Sequence, residues 1–167
     1  MKYIIKNKIV SLGASSTVRD EDGNNLFFVK GRVISPTRHK TVCGPDKKPL
    51  YRVRNKFFHL FLPKVFLMDA EGKILLTIKK RKIFSFRQDF VVIRREGCDI
   101  DLAIQGDIIG RHYDILDKGI PVAHVRRNFN LIKDSFWLDT NDERAPLMIA
   151  FVIAIDNYYD KLQNEER

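Results

Sequence analysis

At 167 residues, with 44% hydrophobic and 31% charged side chains, the chain has the size and balance of one globular domain over 1–167 and is not a disordered segment. The opening MKYIIKNKIVSLG lacks the apolar run and small-residue cleavage site of a secretory signal, and Cys43 and Cys98 have no metal-ligand spacing, so a reduced, cytoplasmic setting is expected. The net charge of +9 is uneven, residues 1–98 carrying 22 Lys and Arg against 8 Asp and Glu, which implies an acidic partner: nucleic acid, anionic lipid or another protein.

From about residue 2 to 140 the pattern predicts strands. LFFVKGRVI (26–34) alternates, with Phe27, Val29 and Val33 on one face, and KILLTIKKRKI (73–83) and DFVVIRRE (89–96) are rich in β-branched and aliphatic residues. CDIDL, with Asp99 and Asp101 on one face, reads as a further alternating strand. Turn signals recur at Asp22-Gly23, Pro45-Asp46, Glu71-Gly72, Glu96-Gly97 and Lys118-Gly119. Similar phrases follow most of them, NLFFVKGR, PLYRVRNK, KILLTIKKR and IPVAHVRRN, so the chain reads as a weak repeat of hairpins. About twelve sequentially paired strands would leave long bare edges unless the sheet closes into a barrel. A barrel that wide needs something inside it.

The last element supplies the filling. A helix over about 146–162 is signalled by Pro146 in its first turn and by Asn141-Asp142-Glu143 before it. Its apolar run LMIAFVIAI is nine residues, roughly 14 Å as a helix and about half of a ~30 Å hydrocarbon layer. Apolar on all sides and too short to span a bilayer, it is expected at the barrel axis.

Catalytic signatures are missing from the sequence. His39, His59, His112 and His124 are scattered without HExxH or paired Cys/His spacing, and DEDGNN fits a calcium loop poorly because its glycine comes too early. No GxSxG, P-loop or dinucleotide fingerprint occurs. The expectation is a protein that is not an enzyme and needs neither metal nor cofactor. No zinc finger, RNP-like phrase or helix-turn-helix supports nucleic-acid binding.

In chain order, MKYIIKNKIVSLG, VRDEDGNNLFFVKGRV, KKRKIFSFRQDFVV, IQGDIIGRHYDILDKGIPVAHVRRN and FVIAID resemble the LURP-one-related branch of the tubby C-terminal fold along essentially the full length. The resemblance implies a mainly β protein, a closed antiparallel barrel of about 12 strands around a central hydrophobic C-terminal helix. It implies less about function. Tubby proteins bind phosphoinositides and phospholipid scramblases share the fold, but tubby's phosphoinositide-binding residues have no counterpart in this sequence.

If the strands run up and down, the Asp-Gly-type turns share one rim and the remaining connections share the other. That second rim gathers the candidate binding residues Arg54, Lys56, Lys79, Lys80, Arg81, Lys82, Arg87, Arg126 and Arg127. Beside them lie Phe58, Phe61, Phe84 and Phe86, which either tip the loops or plug the barrel mouth. KKRK (79–82) reads either as a solvated edge or as part of an anion-seeking surface. The expected function is a non-enzymatic, monomeric binding module recruited peripherally to anionic phospholipid or phosphoinositide surfaces through this basic rim. The alternative is a protein-interaction or scaffold domain that uses the same rim without binding lipid.

Overall fold

The structure is a computed structural model that describes residues 1–6, 16–31, 39–56, 64–80, 90–107, 112–130 and 133–165. Twelve strands precede one helix: β1 (Lys2–Lys6), β2 (Ser16–Arg19), β3 (Asn25–Gly31), β4 (Lys40–Cys43), β5 (Pro49–Asn55) and β6 (Lys64–Asp69). There follow β7 (Ile74–Lys80), β8 (Phe90–Arg94), β9 (Leu102–Asp107), β10 (His112–Asp117), β11 (Ile120–Asn130), β12 (Lys133–Thr140) and α1 (Ala145–Glu165). The helix begins and ends within a few residues of its expected limits.

The turn chemistry sets the hairpins. Between β10 and β11, Lys118 (φ 50°) and Gly119 (φ 82°) supply two successive left-handed residues, as a tight type I′ connection requires. Between β4 and β5 the left-handed position is held by a lysine, Lys47 (φ 63°), where a Cβ crowds the backbone.

Every ladder is antiparallel, in the order β8-β7-β6-β5-β4-β3-β2-β1-β12-β11-β10-β9. Sequence neighbours pair from β1 to β8 and from β9 to β12, and β1 joins β12, from Lys2 opposite Asp139 to Lys6 opposite Ser135. The sheet thereby curls into a nearly closed barrel. The expected barrel of twelve antiparallel strands is there, with β8 and β9 ending the order and sharing no ladder among the described residues. Asp99 and Asp101, expected on a strand, sit in a link that precedes β9. There the Lys118 Nζ donates to Asp99 Oδ1 at 3.0 Å and Arg94 lies 3.9 Å from Asp101.

Alternation fills the barrel with one face of each strand. Val18, Val29, Val42, Val53, Leu67, Leu76, Ile115, Val125 and Leu138 are fully buried. The helix meets them from the axis, every residue from Leu147 to Tyr158 being buried, and it runs nearest β5 and β6. Burying a side chain such as Leu147, Phe151 or Ile153 contributes about 1.5–3 kcal/mol. No helix among the described residues is long and apolar enough to cross a membrane.

Arg144 anchors the helix entry to the turn rim. Its Nε donates to Asp142 Oδ1 at 3.0 Å, and its Nη2 donates to Asp142 Oδ2 at 2.7 Å and Asp117 Oδ2 at 2.8 Å. These two carboxylates push its guanidinium pKa upward. At the other end the interior turns polar. Lys40, on the same strand face as buried Val42, points inward to within 3.9 Å of Asp156 on α1. Both amide atoms of Asn157, Oδ1 of Asn55 and the hydroxyl of Tyr113 are buried without a hydrogen-bond partner among the described residues. Burial drives the Tyr113 pKa far above its ordinary value.

Candidate basic binding surface

The strand directions place the Asp-Gly-type turns on one rim, together with the start of α1, and the other connections on the opposite rim. Of the expected binding residues, Arg81, Lys82, Arg87, Phe58, Phe61, Phe84 and Phe86 lie outside the described residues. The backbone of Lys80 ends β7. The remaining five can be placed, and they do not form one ring.

Arg54, Lys56 and Lys79 share the outer wall of β5–β7. Arg54 alternates with buried Val53 and Asn55, so it faces out, and its guanidinium lies 5.7 Å from the ring of Phe66, its partner across β6. The amide of Lys56 donates to the carbonyl of Lys64 at 2.9 Å, and Lys64 stands opposite Lys79. Like charges directly across a ladder repel, so this pairing is unfavourable unless an anion compensates it. Arg52 continues the row on β5. Within the strands β4 to β7 the one acidic residue is Asp69, at the turn end of β6, and the turns between them add Asp46 and Glu71.

Arg126 and Arg127 go elsewhere. Arg126 is on β11, across the barrel, where its guanidinium lies 5.9 Å from the ring of Trp137 and its ladder partner is His112. That wall is mixed in charge, His124 Nδ1 lying 2.7 Å from Asp114 Oδ1. Arg127 shares a face with buried Val125 and sits 5.4 Å from the ring of Phe136, which is itself buried.

The sequence reading passed over the neighbouring side of the basic wall. Lys30, Thr41, Lys47 and Arg52, with His39 and Cys43, line a pocket of about 260 Å³ on the outside of β3–β5. The Lys30 Nζ donates to the carbonyl of Lys47 at 3.4 Å, and the Lys47 ammonium lies 5.7 Å from the Phe28 ring. The Arg52 Nε is buried without a hydrogen-bond partner among the described residues. Arg52 alternates with buried Val53 and so lies beside Arg54 on the outer face. Lys47 lies in the β4–β5 turn, and nothing in the local sequence shows that this turn folds against β3.

Comparison with known proteins bears on the fold and the family. No curated protein matches the chain. The crystal structure of a protein from Arabidopsis thaliana is similar, with a TM-score of 0.55 and 20% identity over 95% of this chain and 91% of that one. At that identity the likeness shows the shared architecture. The family profile described as LURP-one-related matches residues 1–156, from β1 into the buried part of α1, and the chain belongs to the LURP-one-related family.

Proposed function

We propose that the protein is a non-enzymatic module that binds anionic phospholipid surfaces through the outer wall of β4–β7. The observation that carries this reading is the concentration of Arg52, Arg54, Lys56, Lys64 and Lys79 on a wall whose strands hold one acidic residue, Asp69, at the turn end of β6. Basic residues near an anionic leaflet contribute about 1 kcal/mol each, and the attraction fades beyond a Debye length of about 8–10 Å. Phe66 and exposed Ile93, on the neighbouring β8, add apolar area to the same face. The expected kinship with tubby barrels points the same way. In this reading the protein works as a cytoplasmic monomer that docks peripherally, with the helix kept inside the barrel.

Co-sedimentation with neutral and anionic vesicles at two salt concentrations tests the reading. Binding should require anionic lipid, weaken with salt and disappear in the Lys64→Glu/Lys79→Glu variant. Binding that ignores lipid charge, or none at all, removes it.

One observation favours the alternative, a protein-interaction domain. The β8 edge has no ladder partner on its outer side among the described residues, and such an edge can accept a strand from another chain. A pull-down partner lost on Val92→Pro but kept in Lys64→Glu/Lys79→Glu would select this reading.

A further inference from the structure

The basic wall is not uniform: most of its cations stand on an open surface, whereas Lys30, Lys47 and Arg52 converge on a concavity. At about 260 Å³ the pocket falls just under the ~300–1,000 Å³ usual for drug-sized ligands, so it suits one small polar group. None of its lining residues is acidic. Three cations in one cleft repel each other, and Asp46 in the adjoining turn, outside the lining, is 3.3 Å from Lys48.

We infer that this pocket is a binding site for a phosphomonoester dianion, held by Lys30, Lys47 and Arg52 with the Thr41 hydroxyl as a further donor. The choice among anions follows from charge and geometry. A carboxylate or phosphodiester brings a single negative charge, whereas a phosphomonoester carries about −1.5 to −2 near neutral pH, close to what three cations require. Its tetrahedral oxygens accept from the planar arginine fork and from point-charge lysines at once. The shielded Arg52 Nε shows that the guanidinium has donor capacity not used by the described residues. The chemistry is shared by free phosphate esters and by a monoester lipid headgroup such as phosphatidic acid. The membrane form rests on the anionic-surface reading above; the pocket itself does not.

Titration with inorganic phosphate and with glycerol 3-phosphate, followed by calorimetry, tests the pocket on the full chain. Saturable binding is expected, weakened at least about tenfold in Arg52→Gln/Lys47→Gln and retained in Lys64→Gln/Lys79→Gln. Arg52→Lys, which keeps the charge and loses the fork, should fall between and guards against a folding artefact, with melting curves recorded for each variant. No saturable phosphate binding, or equal binding by the double variant, overturns the proposal. Vesicles of phosphatidylcholine with phosphatidic acid or with phosphatidylserine, matched in surface charge, then identify the source. A preference for phosphatidic acid that is lost in Arg52→Gln/Lys47→Gln supports a lipid headgroup. Soluble binding without that preference supports a free phosphate ester in the same pocket. Loss of all vesicle binding in Lys64→Gln/Lys79→Gln with phosphate binding intact leaves the pocket standing apart from the membrane surface.

Discussion

Lys40 on β4 and Asp156 on α1 face each other across 3.9 Å inside the barrel, their side chains only 4% and 9% exposed. A buried pair of this kind ties the helix to one point of the wall. Removing one partner leaves a charge in the interior and typically costs about 3–5 kcal/mol, whereas replacing both with apolar residues costs far less. Urea unfolding should therefore rank Lys40→Met as less stable than Lys40→Met/Asp156→Leu. The reverse order would show that the pair does not hold the helix.

The helix itself should tolerate little. Ile153 is 2% exposed and surrounded by strand side chains, so Ile153→Val should cost about 0.5–1.5 kcal/mol. Ile153→Asp should abolish soluble expression, because it buries a carboxylate in the apolar interior. A soluble variant that melts with the wild type would remove α1 from the centre of the core.

Acid should loosen the helix entry. The hydrogen bonds from Arg144 hold the Asp142 carboxyl below the usual carboxylate range. Its folded value thus lies below its unfolded value of about 3.9, so the stabilisation is complete above that pH and is lost as pH falls through the folded value. Arg144→Met should lower stability at pH 6 and flatten its decline between pH 5 and pH 2. Denaturant midpoints across that range measure both effects.

Lys47 offers a contrast between stability and binding. Its left-handed φ of 63° suits glycine better than a residue with a Cβ, and relieving such a site is worth about 1 kcal/mol. Lys47→Gly should therefore raise the melting temperature while weakening phosphate binding. A variant stabilised without loss of phosphate affinity would remove Lys47 from the pocket.

Local signals carried much of this. Period-two alternation located the strands, Asp-Gly-type turn signals joined them in chain order, and an apolar run too short for a bilayer marked α1 as buried. Other features escaped because their local signal was ambiguous. Lys40 is a cation near a strand end, where charge is ordinarily solvated, yet its alternation with Val42 turns it inward. Arg126 looked equivalent to Arg54 in composition, yet the two strands lie on opposite sides of the barrel. By itself, then, the sequence determined the number and order of strands, the separation of the two rims and the burial of the helix. All of these follow from side-chain periodicity and turn geometry over a few residues. Only the tertiary structure decided that β1 closes on β12 while β8 and β9 stay apart, that Lys40 meets Asp156, and that Lys30, Lys47 and Arg52 share one cleft. Those outcomes depend on which strands become neighbours and in what register, which is set by packing around the helix between residues far apart in the chain.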